Sequence, residues 1–424
     1  MTKKKIVYEE AVIDKLVHGG QGLGVLDDGR KVFVWNSLPG EKVKARITRS
    51  KKDFAEAVAE DIIIASKYRI EPEESIYLAT SPWQIIELQA ENMYKTQILA
   101  DAFRREGVTV GDITMRSDDK PFAYRNKIEF SFYGDDDGLH FAFYNRGTHQ
   151  KQIVTGSALA LPAINTAAGN ILAELNKIGV RASDLKSLVL RCDQQGSVTV
   201  ALYVKPKSFP KIDIPEGVQG MKVYHSNPKS PASVPTKLIY AIGDTRLSDE
   251  LLGTSMQYDV SGFFQVNIPV FEMALKQIDK QVAGSKNIID MYAGVGSIGI
   301  PISGTKALIE LDPANIAMAK HNTEGRSIEV VHASSEEALS YIQSDTCLIV
   351  DPPRSGLHHS VVDHILDKKP VLICYLSCNP STQARDVAHL AEVYDISLIE
   401  GYNFFPRTPH IESLVVLKLK KNAL

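Results

Sequence analysis

From about residue 250 onward, apolar strands alternate with helical stretches. The strands are Asn287-Ile-Ile-Asp-Met, Lys306-Ala-Leu-Ile-Glu, Ile328-Glu-Val-Val, Cys347-Leu-Ile-Val-Asp and Val371-Leu-Ile-Cys-Tyr-Leu. Strands buried on both faces read as continuous apolar runs, and intervening helices make neighbours parallel. This part is therefore predicted to fold as a doubly wound, mostly parallel sheet. Ligands of such sheets sit beyond the carboxyl ends of the strands, so the residues that end each strand are the ones to inspect.

The first strand ends Asp290-Met-Tyr-Ala-Gly-Val-Gly-Ser-Ile-Gly299, where Gly294, Gly296 and Gly299 form G-x-G-x-x-G. Glycine at these positions allows a tight turn and close approach of a ligand. The second strand ends on Glu310, where a carboxylate can meet a ribose diol, although a strand-end acid can equally be plain surface. Nicotinamide and flavin sites share this loop. Asp290, four residues before the first glycine, suits a cationic or amino-acid-like ligand better than a pyrophosphate. The fourth strand runs into Asp351-Pro-Pro-Arg354, whose prolines fix the backbone, remove two donors and aim the carboxylate rigidly.

The fifth strand is followed by Ser377-Cys-Asn-Pro. Cys347 and Cys374 lie inside apolar strands, as inert buried thiols do. Cys378 sits past the strand end in a polar turn, where positive potential would depress its pKa and make a nucleophile. Near the C-terminus, Phe404-Phe-Pro-Arg-Thr-Pro-His-Ile-Glu412 places His410 and Glu412 just before an apolar strand from Ser413. Glu412 is a candidate general base.

Upstream, short strands at Ile6-Val-Tyr, Ala11-Val-Ile, Lys31-Val-Phe-Val and Val43-Lys-Ala-Arg-Ile are separated by glycine-rich turns, the pattern of a small barrel. Residues 1–60 carry a net charge of +3 and the remainder −6. The cluster Lys42, Lys44, Arg46, Arg49, Lys51, Lys52 reads either as a solvated face or as a polyanion-binding surface. Helical spacing over 85–107, strands over 122–155, a helix near 163–178 and strands near 187–204 and 219–225 make the middle α+β; Pro and Ser at 226–235 mark a loop. The expected organisation is a multi-domain chain: an N-terminal β-barrel (1–64), a central α+β domain (65–250, its helix near 85–107 packing on the catalytic part) and a C-terminal α/β Rossmann-like domain (251–424).

At 424 residues, with net charge −3 and 44% hydrophobic residues, whole-chain disorder is excluded. No apolar run approaches the ~20 residues of a membrane span. Four cysteines are too few for a disulfide framework and lack zinc spacing. The basic start Met1-Thr-Lys-Lys-Lys has no apolar region behind it, unlike a secretory signal. A cytoplasmic, membrane-free monomer is expected.

Together these motifs resemble those of the S-adenosylmethionine-dependent RNA uracil-5-methyltransferases over nearly the whole chain. His18-Gly-Gly-Gln-Gly-Leu-Gly and Leu38-Pro-Gly-Glu are similar to the TRAM domain, an RNA-binding barrel. Asp351-Pro-Pro-Arg, Ser377-Cys-Asn-Pro and Pro409-His-Ile-Glu412 agree with the family in order and spacing. The resemblance implies Cys378 as nucleophile and Glu412 as proton acceptor, with Asp351 orienting the base and Arg354 stabilising an enolate oxygen. Gln265 (in Ser261-Gly-Phe-Phe-Gln-Val-Asn), Tyr292, Gly294, Gly296, Ser297, Glu310 and Asp351 would bind S-adenosylmethionine. Lys44, Arg46, Arg49, Arg125 and Lys127 would contact RNA. Many rRNA-modifying members hold a [4Fe–4S] cluster on four cysteines after the TRAM domain; here the first cysteine is Cys192 and Trp83 stands near a usual ligand position, so no cluster is expected. The implied product is 5-methyluridine in rRNA or tRNA. A nicotinamide enzyme would leave Asp-Pro-Pro and Ser-Cys-Asn-Pro unexplained, and a non-catalytic RNA-binding protein would not need both Cys378 and Glu412.

Overall fold

The computed structural model describes residues 6–146, 148, 150–230 and 232–421; the basic start at 1–5 and residue 231 of the 226–235 loop lie outside them. Strands β1 (Tyr8–Leu16), β2 (Gly22–Val25), β3 (Lys31–Trp35), β4 (Lys42–Ser50) and β5 (Phe54–Ile64) close into a barrel in the order β1-β2-β3-β5-β4. Most of the stretch 6–13 belongs to the single strand β1 rather than to two short strands. Val32, Val34, Val43 and Ala45 point inward with Ala55, Ala57 and Ala59, and these alternating alanines of β5 leave room for a narrow interior.

Helices α1 (Tyr77–Thr80) and α2 (Leu88–Arg105) follow, then β6 (Thr114–Arg116). The central sheet has the order β13-β12-β11-β10-β7-β8-β9, built from β7 (Lys127–Asp135), β8 (Gly138–Tyr144), β9 (Lys151–Val154), β10 (Leu185–Cys192), β11 (Val198–Val204), β12 (Gly220–His225) and β13 (Lys237–Gly243). Helix α3 (Pro162–Lys177) packs on it through Ile164, Ala168, Ile171 and Leu175, one face at helical spacing. A hairpin, β14 (Arg246–Leu251) and β15 (Thr254–Asp259), leads into α4 (Ile268–Val282).

The last sheet contains β16 (Ile288–Met291), β17 (Thr305–Glu310), β18 (Glu329–His332), β19 (Cys347–Val350), β20 (Leu372–Ser377), β21 (Tyr394–Tyr402) and β22 (Glu412–Leu419), with helices α5 (Pro313–Asn322), α6 (His359–Lys368) and α7 (Pro380–Leu390). Its order is β18-β17-β16-β19-β20-β22-β21-β6. Five strands run parallel, and β22 inserts antiparallel between β20 and β21. The chain leaves β16 toward β17 and β18, then crosses back to β19, so the topological switch lies between β16 and β19. Distant β6 completes the sheet beside β21. Helix α2 packs here too, with Leu99 and Phe103 in the same core as Val387 and Leu390. The barrel is fastened by a further core that joins Leu16 and Leu38 to Trp83, Ile86, Ile98 and Ile411.

Candidate active site

At the switch point opens a cavity of about 1340 Å³. Its lining includes Gln265, Tyr292, Gly294, Glu310, Asp351, Arg354, Cys378, His410 and Glu412. Residues spread over about 150 positions of sequence thus meet in one place, each delivered by the end of a strand or the loop behind it.

The glycine loop does two separate jobs. Gly294 (φ +59°) has open space where a Cβ would stand and faces the cavity. Gly296 does not line the cavity: at φ +88° its Cβ would lie 2.2 Å from Ile300 Cδ1, so it serves packing beneath the turn. Ser297 is also buried away from the lining. Asp290, read as a ligand-facing acid, is instead wholly buried under the loop. Its Oδ2 accepts the Gly299 N–H at 2.8 Å and its Oδ1 has no partner. Burial pushes this carboxyl up to about 8, with Asp351 and Glu310 adding to the rise and the Gly299 bond opposing it. Glu310 accepts from Gly294 N at 2.7 Å and from Leu311 and Asp312 N, which pins its carboxylate at the rim. Tyr292 hydroxyl meets Ser335 Oγ at 2.8 Å.

Gln265 reaches the cavity from the loop before α4, which the central sheet holds. Asn126 Nδ2 donates to the Gln265 carbonyl at 2.9 Å, and buried Arg191 donates to Phe264 O and Gly262 O at 3.4 and 3.1 Å. Phe263, 59% exposed at the cavity mouth, was not singled out from sequence, although its place two residues before Gln265 was a usable signal.

Asp351, Arg354 and Cys378 form a braced unit. The Arg354 carbonyl accepts from Asn379 Nδ2 at 2.8 Å and Thr382 Oγ1 at 3.1 Å, tying the Asp-Pro-Pro-Arg turn to the start of α7. Gln383 of α7 donates to the carbonyls of Tyr375 and Ser413 at 2.8 and 3.1 Å, which sets β20 and β22, and so Cys378 and Glu412, relative to each other.

The electrostatics differ from the sequence expectation. Burial pushes the Cys378 thiol up to about 11, helped by Glu412 and Asp351 and opposed by Arg354, so the free protein holds it as a thiol. Burial raises Asp351 to about 7. Glu412 is raised well above the carboxylate range by burial and by Asp351, against Arg354. Burial, then Arg354, Lys95, Arg125 and His18, push His410 down to about 4, so its imidazole is neutral.

Of the expected RNA-contacting residues, Arg125 lines the cavity, its guanidinium 5.9 Å from the Phe405 ring. Lys127 does not line it; it lies on β7 beside Arg191, and burial lowers it to about 8. Lys44, Arg46 and Arg49 lie on barrel strand β4 and do not line the cavity. Arg46 is paired with Glu60 at 2.5 Å, Arg49 with Glu56 at 3.2 Å, and Lys44 lies 5.5 Å over the Tyr8 ring. Such exposed pairs are weak enough to yield to phosphates. Among the described residues no group of His, Cys, Asp and Glu is placed to hold a metal ion, and no helix is long and apolar enough to cross a membrane.

Residues 253–420 match the sequence profile of the tRNA (uracil-5-)-methyltransferase family, and residues 8–59 match the TRAM domain. The chain is 29% identical to an uncharacterized RNA methyltransferase of Lactococcus lactis subsp. lactis, covering 97% of this chain and 96% of that one. It is 26% identical to one of Thermosynechococcus vestitus, covering 96% and 97%. The crystal structure of Pyrococcus abyssi tRNA (uracil-54, C5)-methyltransferase in complex with S-adenosyl-L-homocysteine shares the fold, with TM-score 0.77, 24% identity and coverage of 96% of this chain and 100% of that one.

Proposed function

We propose a covalent mechanism for this chain, which is an S-adenosylmethionine-dependent RNA (uracil-5-)-methyltransferase of the tRNA (uracil-5-)-methyltransferase family. The reading is that it forms 5-methyluridine in a structured RNA through a bond between Cys378 and C6 of the target uracil. One observation carries it: Cys378, Asp351, Arg354 and Glu412 line the same cavity as Gln265, Tyr292, Gly294 and Glu310.

The cavity suits the methyl donor. Glu310, and Asp351 in its ionised form, offer negative charge to a cationic ligand, and the missing Cβ of Gly294 leaves open space in the same cavity. When bound, S-adenosylmethionine supplies an electrophilic methyl group. Gln265, Tyr292, Gly294 and Glu310 would hold it; Gly296 and Ser297 would support the loop from behind.

Uracil C5 is a poor nucleophile in the neutral ring. The Cys378 thiolate adds to C6, which moves an electron pair onto C5 and O4 as an enolate. Arg354 stabilises the enolate oxygen and Asp351 orients the ring. C5 would take the methyl group as the methyl–sulfonium bond breaks, its electron pair staying on the sulfur of a neutral thioether product, and would then carry one proton too many. Glu412 takes that proton, the electron pair re-forms the C5–C6 double bond, and the C6–S bond breaks to release Cys378. The target base leaves its stack to reach Cys378 in the cavity wall.

Cys378→Ala should give neither methylation nor a protein–RNA adduct. Glu412→Gln should accumulate methylated RNA bound covalently to the protein, retarded on a denaturing gel. An active Cys378→Ala would remove the covalent mechanism. Mass-spectrometric mapping of 5-methyluridine in tRNA and rRNA from cells lacking the protein identifies the substrate RNA.

A further inference from the structure

Helix α2 carries Glu91 and Lys95 one turn apart, both side chains wholly buried, with Nζ 2.9 Å from Oε1. A buried ion pair costs more desolvation than it returns unless its remaining hydrogen bonds are satisfied, and an apolar pair of similar volume would serve packing as well. Here every remaining bond goes to one segment more than 300 residues away. Lys95 Nζ donates to Asn403 Oδ1 at 2.6 Å and to the Phe405 carbonyl at 3.0 Å. Glu91 accepts from Asn403 Nδ2 at 3.0 Å and, through both oxygens, from the Arg407 backbone N–H at 3.1 and 3.0 Å.

The segment they grip leaves β21 at Tyr402 and enters β22 at Glu412. It contains Phe405 and His410 of the cavity wall, whose rings lie 5.6 Å apart. Arg407 adopts a left-handed φ of +64°, a conformation a non-glycine residue keeps only where its surroundings hold it. The Tyr124 hydroxyl donates to Pro406 O at 3.0 Å, and Trp83 N to Arg407 O at 3.1 Å.

We infer that the Glu91–Lys95 pair positions the 403–412 segment and thereby aims Glu412 at the target base. The inference rests on the reading of Glu412 as proton acceptor. Lys95 and Glu91 line no part of the cavity and are positioning residues.

The test compares Lys95→Met with Glu412→Gln in parallel. In Lys95→Met, S-adenosylmethionine affinity by calorimetry and covalent trapping by 5-fluorouridine RNA should stay as in wild type. Turnover on ordinary RNA should fall about 100-fold, the cost of a small misplacement of a reacting group. Methylated adduct should accumulate as in Glu412→Gln. Wild-type turnover in Lys95→Met, or loss of cofactor binding and trapping together with turnover, overturns the inference while the acceptor reading stands. Normal turnover in Glu412→Gln removes that reading and the inference with it. If Lys95→Met does not fold, Glu91→Gln, nearly identical in shape but uncharged, decides by the same readouts.

Discussion

The elevated thiol of Cys378 can be tested without substrate. Cys378 is partly accessible, whereas Cys192, Cys347 and Cys374 are buried, so an alkylating agent on the native protein reports on Cys378 alone. With the thiol near 11, the reactive thiolate at pH 8 is about one part in a thousand. A free cysteine of pKa about 8.5 is roughly one-quarter ionised at the same pH, so Cys378 should react roughly 200-fold more slowly than a free thiol. Access to the cavity also slows the reaction, so the decisive quantity is the pH profile. The rate constant for iodoacetamide labelling of Cys378, followed by peptide mass spectrometry, should rise tenfold per pH unit from about 7.5 to 9.5 without levelling. Arg354→Met removes the cation that opposes the rise and should lower the rate at every pH in that range. A profile that bends at or below pH 8.5, or an Arg354→Met protein that labels faster, would refute the electrostatic reasoning.

Three further outcomes are expected. Gly296→Val should lower thermal stability by about 1–3 kcal/mol through overpacking against Ile300 and Leu308, and weaken cofactor binding by distorting the loop; Gly294→Val should weaken binding by filling the cavity with a smaller change in melting temperature. Binding of S-adenosylmethionine at pH 7 should release protons, up to ~0.5 of them from Asp351 alone, because a cation lowers a carboxyl that stands near 7 and is about half protonated; calorimetry in buffers of different ionisation heat measures it, and proton uptake would contradict the sign. Deleting residues 1–60 should weaken RNA affinity in a salt-dependent way and spare cofactor affinity, while the lost burial of Leu16 and Leu38, roughly 3–6 kcal/mol together, lowers the melting temperature of what remains.

Where the chemistry follows from neighbouring residues, the sequence reads well. The apolar runs that became β16, β17, β19 and β20 announce themselves, and so do the polar residues at their ends, because strand and loop are set within a few positions. The direction a loop residue faces is not local. Gly294, Gly296 and Ser297 belong to one motif, yet only Gly294 faces the cavity: Ile300 and Leu308 pack against Gly296, and Ser297 is buried away from the lining. Asp290 likewise turns inward to hold Gly299. Contacts across hundreds of residues leave no periodic trace: the grip of Glu91 and Lys95 on Asn403, the pairing of β6 with β21, and the seating of Gly20 against Pro409 become visible only when the chain is folded.

The sign of the cysteine shift is the most informative departure. A cysteine at a helix start suggests a depressed pKa, but the helix end is a partial charge acting on a group that is mostly desolvated and faces two carboxyls. Burial pushes Cys378, Asp351 and Glu412 toward their protonated forms and His410 toward its neutral form, leaving Arg354 as the charge that favours the thiolate. A positive charge entering this cavity shifts all three acids the same way, toward thiolate and carboxylate. On the proposed mechanism these are the forms that Cys378 needs for attack and Glu412 needs for proton removal. On that mechanism a cationic methyl donor in the cavity favours the ionised forms that attack and proton removal require.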